Sequence, residues 1–257
     1  MNSFSFGTLN LTLDRMRQYA LSIDGADTFL TPEWDYEFIE IPGRNGNLTL
    51  DNNRMKNVTL VFHCFIRTNF PANFRNLMNA FARIRGYAKL KYSDDPDHFR
   101  MAVFKTAVSA ETGSFNKSGH FDLEFSCKPE RFYDSGDEFE TLAYGSGDAQ
   151  GFATPQFATT FPSSPVFRIY GKGTVEYAMS GDEHYTKITV DEHPYEYIDI
   201  DSSTLTASYG TTNLSNYVQL SNGYPELVGY MNKRISWELE DYGNGAGLKI
   251  KPRTFDI

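Results

Sequence analysis

Gly86-Tyr87-Ala88-Lys89-Leu90-Lys91-Tyr92, Ser93-Asp94-Asp95-Pro96-Asp97 and His98-Phe99-Arg100-Met101-Ala102-Val103-Phe104 follow one another without a break. The outer two segments alternate apolar and polar side chains, the period-two signature of half-buried strands. The middle segment is made of turn formers. Asp side chains accept hydrogen bonds from their own downstream backbone, and Pro fixes φ while pushing the residue before it out of the helical region. The run therefore predicts a β-hairpin with a rigid acidic tip spanning Ser93–Asp97. Three carboxylates also raise the question of a divalent cation. A calcium loop needs six to eight oxygens and a Gly for its sharp turn, and here neither the spacing nor a downstream Glu is present. A structural turn is the expectation for Asp94, Asp95 and Asp97, with no metal site.

Working outward, 257 residues leave room for two modest domains. A hydrophobic share of 40% is enough to build cores, and 15% aromatics, mostly Phe and Tyr, favour β-structure. No apolar run is long enough to cross a bilayer, and the N-terminus lacks a basic-then-apolar leader, so manufacture in a cytoplasm is expected, with no membrane partner. Cys64 and Cys127 both sit in apolar strand-like runs and read as buried thiols. Residues 1–135 hold sixteen basic and sixteen acidic residues, whereas 136–257 hold eight and seventeen, so the whole net charge of −9 falls in the second half. That asymmetry suggests two domains with different surfaces. Neither half has a basic stripe, which argues against specific nucleic-acid binding.

The first half reads as an α+β unit. Ser3–Leu13 suggests a strand or hairpin, Asp24-Gly25 a turn, and Trp34–Ile41 a strand stopped by Pro42-Gly43-Arg44-Asn45-Gly46, a tight loop requiring positive φ. Val58–Phe65 is strand-like. Phe74, Leu77, Met78, Phe81 and Ile84 then recur at helical spacing, with Pro71 in the first turn and Gly86 beyond the end. Val103–Val108 and Gly119–Cys127 read as strands joined by a turn over Asn116–Gly119. The fold class expected is mainly β. An N-terminal α+β domain over 1–135 (an antiparallel sandwich or barrel with one helix and a hairpin) is followed by a linker over 136–164. The linker is rich in Ser, Gly and Pro with scattered Phe139, Phe152, Phe157 and Phe161. Short strands at 166–170, 174–177, 186–190, 195–199, 204–208, 217–220, 234–239 and 248–252 then predict an antiparallel β-sandwich over 165–257, with turns at Gly171-Lys172-Gly173, Asp182, Ser221-Asn222-Gly223 and Gly243-Asn244-Gly245.

No catalytic constellation emerges. His63 and Cys64 are adjacent in a strand and so face opposite ways. No Gly-x-Ser-x-Gly elbow and no phosphate-cradling glycine spacing occurs. His184 and His193 lie near acids but lack a third metal ligand. Asp199 and Asp201 share a strand face, as a glycosidase pair could, but a solvated strand face has the same pattern. No cofactor is implied.

The run 92–104 resembles the hallmark segment of the distal tail (Dit) proteins of long, non-contractile-tailed bacteriophages, especially those infecting Gram-positive hosts. Glu40-Ile41-Pro42-Gly43-Arg44-Asn45-Gly46 resembles the early turn of that family. Phe121–Pro129 is similar to the strand closing its first domain, and Phe161–Pro165, Ile198–Asp201 and Pro252–Phe255 are similar to parts of its second. The resemblance implies a non-enzymatic virion protein of the tail tip, made in the host cytoplasm. Its first domains would form a ring, hexameric in the family, between the major tail protein and the tail-associated lysin or fibre protein, with an opening through which DNA can pass. It implies a galectin-like or carbohydrate-module-like second domain that in some members docks receptor-binding proteins. The residues it marks for assembly are Pro42, Gly43, Arg44, Gly46, Asp94, Asp95, Pro96, Phe99 and Arg100. No insertion long enough for a docking arm interrupts the second half. The alternative is a carbohydrate-binding module or accessory domain recognising cell-wall glycans, which would account for the second half but not the first.

Overall fold

Strict alternation lays down most of the first unit's core. In the computed structural model the described residues are 3–113, 115, 117–144, 150–155, 161–179, 185–227, 233–240 and 247–257. They divide into two compact units, Met1–Arg131 with Ile257, and Phe132–Asp256. The first comprises β1 (Phe4–Phe6), β2 (Leu9–Leu11), α1 (Leu13–Gln18), β3 (Leu21–Asp27), β4 (Trp34–Glu40), β5 (Asn47–Met55), β6 (Val58–Ile66), α2 (Phe70–Ala82), β7 (Ala88–Tyr92), β8 (Asp95–Phe104), β9 (Ala110–Thr112) and most of β10 (Gly119–Tyr133). One sheet runs in the order β2-β1-β7-β8-β10-β6-β3, with β9 on the end of β10. In β6 every second residue from Val58 to Ile66 is buried, and β10 matches it, Phe125 lying opposite Leu60 and Leu123 opposite Phe62. Helix α2 buries Phe70, Leu77 and Phe81 in the same core. There Phe4 stacks on Phe62 and Phe81 on Phe104, each pair at 4.5 Å between centroids. Offset ring pairs of this kind add to the area they bury. Asn69, at φ 51°, starts α2 from the left-handed region, and Pro71 occupies a first-turn position whose N–H has no helical partner anyway.

Local readings change, among them the strand expected over Val103–Val108, which ends with β8 at Phe104. Asp24-Gly25 is not a turn: it lies within β3, where the register against β6 shifts between Ile23 and Gly25. A strand glycine marks a bulge as readily as a turn. The acidic tip is shorter than five residues, because Tyr92 pairs with Asp95 and leaves only Ser93-Asp94 as the turn, with Pro96 and Asp97 already in β8. The short α1 and the polar strand β5 carry too little periodic apolar signal to be read beforehand.

The second unit stacks two antiparallel sheets. One has the order β11 (Glu140–Tyr144), β21 (Gly247–Lys251), β13 (Val166–Tyr170), β16 (Ile198–Asp201), β17 (Thr206–Tyr209), β18 (Thr212–Asn213). The other runs β12 (Gln150–Ala153), β20 (Lys233–Glu240), β14 (Lys172–Met179), β15 (Tyr185–Val190), β19 (Val218–Ser221). Phe167, Ile169, Ile198, Ile200, Leu248 and Ile250 from the first meet Val175, Tyr177, Ile188, Ile235, Trp237 and Leu239 from the second in one core, the arrangement of a β-sandwich. Strands β11 and β12 come from the stretch expected to link the domains and belong to this unit. Gly173, at φ 136°, is required where it stands, since a Cβ there would run into the Glu238 carbonyl. His184, Phe157, Asn116 and the turns at Asp182 and Gly243-Asn244-Gly245 lie outside the described residues.

Candidate assembly surfaces

The β7–β8 tip is held by polar contacts to the rest of its unit. The Asp95 carboxylate lies 2.5 Å from Nδ1 of His98 and 3.4 Å from Nη1 of Arg131. Asp94 accepts from Thr28 Oγ1 at 3.4 Å, and Ser93 Oγ accepts from the Ser3 amide at 3.2 Å. Pro96 and Asp97 are exposed. Asp94 and Asp95 thus point to different partners, and Asp97 lies at the surface. Arg100 is 2% exposed, and its Nη1 donates to the Pro129 carbonyl at 2.6 Å and the Lys128 carbonyl at 3.4 Å. These charge-assisted bonds cap carbonyls towards the end of β10. Beside it, burial pushes the Tyr92 phenol up, opposed by the Arg100 charge. Phe99 is buried on the other face under the ammonium of Lys89, 4.5 Å from its ring centre.

Pro42, Gly43, Arg44 and Gly46 are far along the chain from this cluster and occupy the exposed loop of a separate two-stranded sheet, β4–β5. Gly43 and Gly46 take φ of 79° and 81°, which only glycine enters without strain. The hairpin carries apolar side chains on both faces. Cross-strand pairing puts Ile39, Leu48 and Leu50 with Glu37 on one, and Tyr36 and Phe38 with Glu40 on the other. All are exposed, Phe38 at 62%. Its sequence signal had been legible only as strand β4 and a glycine turn.

Elsewhere, the carboxylates of Asp199 and Asp201 are each clamped by an arginine. Arg168 reaches Asp199 at 2.7 and 2.8 Å, and Arg253 reaches Asp201 at 2.6 and 2.9 Å. Burial works against the charge on Asp201, but Arg253 and Ser203 outweigh it and hold the group below its usual range. Both carboxylates are thus engaged by an arginine each, the arrangement of a structural clamp. The Arg168 guanidinium also stacks between Phe139 and Tyr197, 4.2 and 4.0 Å from their centres. His63, half-buried beside Cys64, bonds Asp122 at 2.7 Å, while the Cys64 thiol is buried.

Among solved structures, the chain superposes on the Dit protein (gp 19.1) of phage SPP1 with a TM-score of 0.65, over 97% of both chains and at 8% identity. The chain shares the fold of that protein. A chain of the phage p2 baseplate, in its activated conformation with Sr, gives a TM-score of 0.51 at 12% identity, again over 97% of both. No family model and no curated protein sequence matches. Within this fold, the β7–β8 tip belongs to the sheet of the first unit and the glycine loop to the β4–β5 hairpin of the same unit.

Proposed function

We propose that the protein is a structural, non-enzymatic component of a phage tail tip. Its first unit forms a ring, a hexamer by family resemblance, that joins the tail tube to the baseplate. Its second unit docks host-adsorption proteins. The observation that carries this reading is the likeness over 97% of both chains, spanning both units, to an SPP1 protein described as a paradigm of hub adsorption apparatus in phages infecting Gram-positive hosts. The exposed apolar hairpin β4–β5 supports the ring, because a surface of that kind is costly in a monomer and useful between copies. In the ring, major tail protein lies on one side and the lysin or fibre protein on the other. The signature residues Asp94, Asp95, Pro96, Phe99 and Arg100 serve assembly by keeping the β7–β8 hairpin in one conformation. Light scattering together with negative-stain imaging of the purified protein tests the reading: six-fold rings are expected, and a particle that stays monomeric over a tenfold concentration range from the micromolar upward speaks against it.

A glycan-binding second unit is the alternative, favoured by the rings of Tyr170, Tyr197 and Tyr209 that meet on one side of the sandwich. Against it, the polar groups that would serve sugar hydroxyls there, Arg168 and Asp199, are already bonded to each other.

A further inference from the structure

Building on the ring reading, we propose that the β4–β5 hairpin of one copy seats its aliphatic face in a groove of a second copy, beside α1 and the start of β3. At about 3.3 Å per residue, strands of seven and nine residues make an arm on the order of 25 Å long. A body of this unit's size has a radius of gyration of only about 14 Å. The arm's aliphatic side chains remain open, Ile39 at 38%, Leu48 at 45% and Leu50 at 44%, so this chain's own groove does not take them.

The groove, of about 440 Å³, is lined by Leu13, Met16, Ala20 and Leu21, with Arg17 and Arg67 also in its wall. Leu13 is 47% exposed there. Apolar content therefore matches apolar content, and the Glu37 carboxylate among the arm's leucines matches the two guanidinium groups. Arg17 also reaches Asp14 at 3.3 Å, but both side chains are largely in solvent, where such a pair is weak and readily exchanged. Arm into groove is a head-to-tail contact: each copy gives one and receives one, so the contact propagates and closes when the rotation allows.

The test uses the full chain with Leu13→Cys and Leu48→Cys together. The native thiols are buried and stay silent. Mild oxidation should give a ladder of disulfide-linked oligomers, while each single variant remains monomeric on a non-reducing gel. Separately, Glu37→Arg should raise the concentration for half-assembly about tenfold, and adding Arg67→Glu should recover most of it. If the wild-type protein assembles but no ladder forms and Glu37→Arg has no effect, the groove assignment falls and the ring stands. If the wild type stays monomeric and no ladder forms, both fall.

Discussion

Arg100 shows what one residue can hide. Alternation along β8 puts it on the same face as the buried Ala102 and Phe104, so its position was legible from the spacing. Its role was not, because the partners that make a buried guanidinium tolerable are the carbonyls of Lys128 and Pro129, 28 and 29 residues away. Replacing it by Met keeps the length but orphans those carbonyls. We expect Arg100→Met to destabilise the protein by about 2–3 kcal/mol, read as a fall in the urea midpoint. His63 makes the opposite kind of contribution. Its hydrogen bond with Asp122, opposed by partial burial and aided by the charges of Asp122 and Asp27, raises its pKa above 6.5. A raised basic group contributes stability that is fully present below the unfolded value of 6.5 and lost as pH rises through the folded value. An NMR titration should find the His63 pKa elevated in the wild type and lower in Asp122→Asn.

At the scale of elements, strands with strict alternation were readable and those without it were not. Val58–Phe65 and Gly119–Cys127 announce themselves because one face is apolar throughout. Strand β5 contains Asp51-Asn52-Asn53, residues that propensity assigns to turns, and it is exposed along nearly all of its length. A strand exposed on both faces leaves only half a pattern in its sequence. The glycine turn was a better guide, since positive φ at Gly43 and Gly46 is a backbone demand independent of packing. The arm yields its own prediction. Phe38→Ser together with Leu48→Ser should leave the melting temperature within about 2 °C, as expected for exposed positions. The same variant should lose assembly in light scattering.

Across the whole molecule, β-class and two-part organisation could be read from alternation and charge asymmetry. Strands β11 and β12 could not, because Gly, Ser and Asp around them carry the composition of a linker. Acidity should affect the units differently. Burial lowers the pKa of His193 in the second unit, with backbone hydrogen bonds opposing the shift. As pH falls below 6.5 the unfolded chain takes up a proton that the folded unit resists, so stability present above that value is lost. Between pH 7.5 and 5.5 the second unit should therefore loosen while His63 favours the first, and His193→Gln should flatten the response of the second when its unfolding is followed by Trp237 fluorescence. The −9 charge in the second half further predicts that its partners bind through basic patches, with affinity falling as salt rises.

The two cysteines have a practical corollary. Cys64 and Cys127 lie in strand interiors, and burial pushes the Cys127 thiol up to about 12 and Cys64 up as well. Thiolate, the reactive form, is therefore scarce on both at neutral pH. Both sulfurs are thus shielded from air, peroxide and neighbouring thiols while the fold is intact. The protein should keep for long periods without a reducing agent, and the appearance of titratable thiol in a stored sample would serve as a direct gauge of how much of it has unfolded.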